Sequence, residues 1–303
     1  MKKKILIVFV LILSVFSLTA CPVRNDLAPI TDKWIPECDD SVAIVSSVEE
    51  KILLNGKTYE ISEQIQEQFA PYFIHGVHAI CVNDNILYGV HERQYNTDVE
   101  YGWRLYRIDL ATQTFEILCT KGKMEFYETN YPLVYVKDAV IYIYDGSCTV
   151  TYDTNKEVLN ELPKEDFEMP NEVSPWGCIA PGHKYEFLRK DDNSTLVIKN
   201  KESLKTVDIT FDYIADRSEY FNQIREYGAK IRPSKFRNLP SDIFTVDAVC
   251  VLNDSIYLRV MVGDVDNDAT GIVFRYDFES DTFHYLYHEY VGDHSLCKVI
   301  PVY

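Results

Sequence analysis

Apolar residues in this chain come in short consecutive blocks separated by polar turn formers, as in Ile86-Leu87-Tyr88 and Val140-Ile141-Tyr142-Ile143-Tyr144. The blocks are rich in Val, Ile, Tyr and Phe and too short for helices, so they read as β-strands. Residues 77–82, 85–91, 103–109 and 114–119 make a set of four, divided by Asn83-Asp84, the polar stretch 92–100 and Ala111-Thr112-Gln113. The middle strands are apolar on successive rather than alternate positions, which requires both sheet faces to be covered. Two stretches break the strand rhythm. Asp216-Arg217-Ser218-Glu219 has capping-box spacing, and Tyr220, Phe221, Ile224, Tyr227 and Ile231 keep helical spacing up to Pro233, predicting a helical insertion near 216–232. A shorter helix is expected over 62–69.

The strand sets repeat. Asn83–Val90 aligns with Asn253–Val260, and Leu105–Leu118 aligns with Val273–Leu286, with Arg107/Arg275, Asp109/Asp277, Thr114/Thr282, Phe115/Phe283 and Leu118/Leu286 coinciding. Looser copies run through 137–159 and 195–204. The steps between Asp109, Asp153, Asn200 and Asp277 are 44, 47 and 77 residues, the last containing the helical insertion. A four-stranded unit with a period in the forties is the signature of a β-propeller blade. Units at 77–119, 133–163, about 174–211 and 244–289 give four blades. Residues 42–61 supply three strands of a fifth, with Asn55-Gly56 as a two-residue hairpin turn, and Leu296–Tyr303 supplies its missing inner strand. The expected fold is therefore all-β: a five-bladed propeller whose ring is closed by strands from both chain ends, leaving no exposed edge. The phrase Tyr106-Arg-Ile-Asp-Leu-Ala-Thr-Gln-Thr-Phe115 resembles the third-to-fourth strand turn of bacterial propellers of the Kelch or quinoprotein-like type, although the glycines and tryptophans marking those families are missing.

The N-terminus carries an address. Met1-Lys-Lys-Lys4, the apolar run Ile5–Phe16 and Ser17-Leu-Thr-Ala20 have the order of a secretory signal peptide, and the apolar run is too short for a comfortable membrane span. Leu18-Thr19-Ala20-Cys21 resembles the lipobox of bacterial lipoproteins. That resemblance implies removal of residues 1–20, a diacylglycerol on the Cys21 sulfur, and a bacterial membrane or cell-envelope location on the extracytoplasmic side. Residues 21–33 then read as a flexible tether, and 34–303 as one propeller-like domain. With 30 Lys+Arg against 47 Asp+Glu, the formal charge of −17 and the lack of any basic run past residue 4 argue against a nucleic-acid partner. Loss of three lysines with the leader takes the balance to 27 − 47 = −20. Eight cysteines less Cys21 leave seven, an odd number with no Cys-x-x-Cys among them; buried thiols acting as small hydrophobes are expected, with room for one or two disulfides.

Candidate chemistry is sparse. Gly-x-Ser-x-Gly, His-Glu-x-x-His, Gly-x-Gly-x-x-Gly and the P-loop are all absent from the sequence. Asp264, Asp266 and Asp268 have the alternate-carboxylate spacing of calcium loops. Ala269 stands where the loop glycine belongs and Arg275 where the bidentate glutamate belongs, which favours an acidic hairpin, and no cofactor is expected. His284, His288 and His294 gather near the C-terminus with Glu289 and Asp293. On a regular strand the first two would share a face roughly 13 Å apart, too far for one metal. Trp176 and Tyr131 precede inner strands, His75 and His78 project from the first or near the channel mouth, and Asp242 and Asp247 flank the last, so these six make the candidate ligand face. The expected function is a lipid-anchored, extracytoplasmic binding or scaffold module for a protein or glycan. The alternatives are a glycan-acting hydrolase using Asp242 and Asp247 in a central pocket, and a purely structural envelope protein.

Overall fold

The computed structural model describes residues 37–46, 51–69, 79–94, 101–122, 133–144, 148–163, 178–179, 183–190, 194–224, 244–264, 268–291 and 297–303. All lie within the unit Pro36–Tyr303. The described residues are mostly strand. In chain order come β1 (Val42–Ser46), β2 (Lys51–Leu54) and β3 (Lys57–Glu60), then helix α1 (Glu63–Phe69). A second group is β4 (Ala79–Asn83), β5 (Ile86–Gln94), β6 (Tyr101–Asp109) and β7 (Thr114–Gly122); a third is β8 (Leu133–Lys137), β9 (Val140–Tyr144), β10 (Cys148–Asp153) and β11 (Val158–Pro163). Next are β12 (Cys178–Ile179), β13 (Tyr185–Arg189), β14 (Leu196–Asn200), β15 (Thr206–Ile209) and helix α2 (Phe211–Ala215). The last group is β16 (Phe244–Leu252), β17 (Ser255–Asp264), β18 (Asp268–Asp277) and β19 (Thr282–Val291), followed by β20 (Lys298–Pro301).

These strands form five sheets: β20-β1-β2-β3, β4 to β7, β8 to β11, β13-β14-β15, and β12-β16-β17-β18-β19. Both chain ends share the first sheet, with Val42 opposite Pro301 and Ile44 opposite Val299 in an antiparallel ladder. The fourth sheet departs from the expected four strands. Its would-be inner strand β12 has only two residues, and both pair in parallel with β16 of the fifth sheet. The strands at the inner edges touch in sequence: β20 with β4, β4 with β8, β8 with β12, β12 with β16, and β16 with β20.

The sequence repeat is a turn and bulge fingerprint. Asp109, Asp153 and Asn200 each accept two backbone N–H bonds from the turn that follows, at 2.8–3.1 Å. Four residues on from these three and from Asp277, Gln113, Glu157, Leu204 and Asp281 all have a left-handed backbone, with φ of 56°, 54°, 59° and 54°. At the other kind of turn, Asn55-Gly56, Asp84-Asn85, Asp138-Ala139 and Asn253-Asp254 each place two successive residues at φ between 47° and 68°, as two-residue type I′ hairpins require. Ladder shifts at Ile80, Leu118, Val249 and Leu286 add a bulge to the inner and outer strands of the second and fifth sheets.

Packing between sheets follows from strands that are apolar on both faces. Ala43, Ile52, Leu54, Val82, Leu87 and Ile108 fill the layer between the first and second sheets, closed by Ile65 of α1. Ile80, Trp103, Leu105, Ile141, Ile143 and Val150 join the second and third. Tyr185, Ile198, Ile209, Val246, Val260 and Phe274 join the fourth and fifth, and Ile44, Val249, Tyr257, Val273 and Val299 join the fifth and first. Full burial of one such side chain stabilises by about 1.5–3 kcal/mol. The helical insertion differs from expectation. Thr210 caps α2 by accepting from the Tyr213 N–H at 3.2 Å, and Asp216, expected as an N-cap, ends that helix. A second helical run at 219–224 starts from Ser218, whose hydroxyl accepts from the Phe221 N–H at 3.2 Å. A Ser two residues further on thus takes the role that spacing gave to Asp216.

Candidate functional site

The seam between the fifth and first sheets concentrates polar groups at both ends of its apolar layer. At one end, Asp39 accepts from Tyr257 at 2.9 Å, from Arg275 at 3.1 Å, and from the Ser41 N–H at 3.0 Å. Burial works to raise the Asp39 carboxyl, but these hydrogen bonds outweigh it and hold Asp39 below the usual carboxylate value. His284 lies between Glu37 at 2.8 Å and Asp277 at 2.9 Å, extending the cluster from β19 to the segment leading into β1. Burial pushes the Tyr257 hydroxyl well up, so it stays a donor.

At the other end, Asp247 of β16 sits opposite Arg259 of β17 in the ladder and accepts from it at 2.8 Å. Arg189 of β13 reaches the second Asp247 oxygen at 2.6 Å, so this carboxylate links the fourth sheet to the fifth. Glu289 of β19 is 1% exposed and accepts from Ser46 of β1 at 2.5 Å and from Tyr287 at 3.2 Å. Cys297, at the entrance to β20, completes the layer; burial first, then the Glu289 carboxylate, pushes its thiol far up. Sequence reading singled out Asp247 and Glu289 but missed the partners that join them into this layer. Its signal is a carboxylate inside an apolar strand run, in Phe244–Leu252 for Asp247 and in Thr282–Val291 for Glu289. Buried charges persist only when paired, so such residues mark where sheets are tied together.

The predicted site residues divide sharply. Asp247 is placed, and it is paired with two guanidinium groups, those of Arg259 and Arg189. His75, His78, Tyr131, Trp176, Asp242, Asp266 and Cys21 lie outside the described residues. Asp264 and Asp268 are register partners at the end of the β17–β18 ladder, on either side of residues 265–267. Among the described residues no group of three or more His, Cys, Asp or Glu side chains is placed to hold a metal. His284 and His288 do not share a face. The bulge at Leu286 shifts the ladder by one, so His284 opposes Arg275 while His288 opposes Ile272, and the two rings point to opposite sides of the sheet.

A four-strand meander begins and finishes at one end of its sheet. The turns at the opposite end are the short, stereotyped ones: 55–56, 84–85, 111–113, 138–139, 154–157, 201–205, 253–254 and 278–281. The connections between sheets are longer, with 10 residues between β7 and β8 and 14 between β11 and β12. Most of the sequence-predicted ligand face belongs to these connections.

No family model matches the chain. No curated protein matches it. Among solved structures it is similar to a 6-phosphogluconolactonase-like protein of Bacteroides fragilis, 11% identical over 84% of this chain and 83% of that one, with a TM-score of 0.37. It is also similar to TolB from Acinetobacter baumannii, 8% identical over 90% of this chain and 67% of that one, with a TM-score of 0.30.

Proposed function

We propose that the chain is an exported lipoprotein whose body is a five-bladed β-propeller, held outside the membrane by lipid on Cys21, where it serves as a binding or scaffold module for a protein or glycan. The cyclic order of inner-strand contacts, together with the pairing of β1 and β20, supports the closed ring. One observation carries the binding reading: the two ends of the sheets differ. One end is finished by short turns of repeated geometry, and the connections between sheets, whose sequences include Tyr131, Trp176, His75, His78 and Asp242, are longer. Long connections on a rigid scaffold are where recognition is built, and aromatic side chains give contact area at low entropy cost. The acidic body also suits a lipid tether, since a charge of 27 − 47 = −20 after leader removal is repelled by an anionic bilayer.

Two measurements test this reading. Metabolic labelling with an alkyne fatty acid is expected to mark the wild type and not Cys21→Ser. Full-length protein is then titrated with solubilised peptidoglycan fragments and with detergent-extracted envelope proteins. Tyr131→Ala with Trp176→Ala is expected to weaken the bound component at least tenfold. Unchanged affinity in the double variant, or no binding of either fraction to the wild type, would sink the binding role.

A further inference from the structure

His288 lies beneath the helical insertion at 211–224. It is 5% exposed, and its ring lies 5.8 Å from that of Tyr285, to whose hydroxyl its Nδ1 is hydrogen-bonded. Tyr285 is in turn stacked on Tyr220 of the insertion, with ring centroids 5.2 Å apart and an interplanar angle of 23°. One residue on, Phe221 meets Phe244 of β16 edge to face at 6.4 Å, and Phe211 of α2 meets these two rings at 5.2 Å and 5.5 Å. Aromatic contacts therefore seat the insertion on the fifth sheet, and one of them is made to the side chain that is hydrogen-bonded to His288. The two helical pieces have five and six residues, too short to persist once undocked.

We propose that His288 is a proton-operated latch on this insertion: when the buried imidazole takes up a proton, the insertion leaves the fifth sheet and bares Phe221, Ile224 and Phe244, and loss of the proton reseats it. The layer around the ring suits the neutral form. Leu196, Ile198, Val246, Val260 and Ile272 are apolar, and the hydroxyls on this side are those of Tyr285, Thr270 and, across the stack, Tyr220. Tyr287 and Glu289 alternate to the opposite face, where Glu289 accepts from Ser46. Arg189 is held by Asp247, Glu219 is exposed, and Asp281 with Arg217, Tyr213 and Tyr276 lies at the short-turn end of the layer. Burial pushes the imidazole down from 6.5 to about 4. An undocked imidazole regains its ordinary value, so the open form binds the proton more tightly and gains population as pH falls from about 6.5 towards 4. Between pH 7.5 and pH 5 that gain is about ten- to thirtyfold. Opening of a small, shallowly packed unit relieves the buried charge without unfolding the remaining sheets.

The test is native-state hydrogen exchange on the full-length protein at pH 7.5 and pH 5.0, corrected for intrinsic exchange rates. Ile214, Ser218 and Asn222, whose amides donate within the insertion, report its docking, and the β5–β6 ladder reports global unfolding. The insertion amides are expected to open at a lower free energy than the β5–β6 ladder at both pH values. Their protection is expected to drop by about ten- to thirtyfold at pH 5.0. The same comparison in His288→Leu and in His288→Gln, whose side chains stay neutral, is expected to show no such drop. Insertion amides that exchange only together with the β5–β6 ladder overturn the latch. So does unchanged protection in the wild type at pH 5.0, or an equal drop in the wild type and either variant.

Discussion

His288 lets the register be tested by titration. The Leu286 bulge sends its ring into the layer between the fourth and fifth sheets, where its ladder neighbours Ile272, Val260 and Val246 are all buried apolar residues. It is 5% exposed, hydrogen-bonded to the Tyr285 hydroxyl, and burial lowers its pKa from 6.5 to about 4. The unfolded chain therefore holds this proton more tightly than the native state, and stability falls as pH drops from about 6.5 towards 4. A shift of that size is worth about 3 kcal/mol when complete, of which about 2 kcal/mol is lost by pH 5. The lowered carboxylates Asp39, Asp109, Asp153 and Asp281 act below the ordinary carboxylate value of 3.8, outside this window. Urea unfolding at pH 7.5 and pH 5.0 measures the loss in the wild type and in His288→Leu, which is neutral throughout. The difference between the two pH values is expected to be about 2 kcal/mol smaller in the variant, or roughly 4–8 °C in Tm. Equal pH dependence in both proteins would falsify the placement of His288 in an apolar layer.

Four substitutions probe the rest of the architecture. Ile300→Ala in β20, at a position 1% exposed, is expected to cost 2–5 kcal/mol in denaturant unfolding, whereas Val158→Ala, at a position 44% exposed, changes stability by less than about 0.5 kcal/mol. Leu204→Gly relieves a left-handed backbone at φ 59° and gives up little packing, since Leu204 is 68% exposed; a gain of about 0.5–1 kcal/mol is expected in the same assay. Gly89→Ala would set a Cβ 2.1 Å from the buried Tyr106 ring, so a loss of about 1–3 kcal/mol or more is expected, with part recovered on adding Tyr106→Leu.

Much of the fold was legible because turn chemistry is local. Asp109, Asp153 and Asn200 announce themselves by side chains that satisfy the next two backbone N–H groups, and Asn55-Gly56 by the positive φ that its hairpin requires. Pairing of Leu296–Tyr303 with the first sheet followed from an incomplete strand count. What escaped was decided by contacts far apart in sequence. The bulge at Leu286 reverses the facing of His284 and His288 without altering the strand pattern. The defection of β12 to β16 depends on which neighbour meets a two-residue strand, and the Asp247–Arg259–Arg189 link depends on the approach of another sheet. The start of the insertion helix was misplaced because Asp216 and Ser218 are both good caps, and packing of Phe221 and Ile224 selected the second.

The central claim is that the two chain ends close one ring by pairing in the first sheet. Native-state amide hydrogen exchange measures this directly at Val42–Ser46 and Lys298–Pro301. A closed ring predicts that the ladder amides of both segments exchange only through global unfolding, with the same opening free energy as the core of the second sheet. Rapid exchange at Val299 and Ile300 while the second and third sheets stay protected would contradict it, showing a frayed end in place of a closing strand.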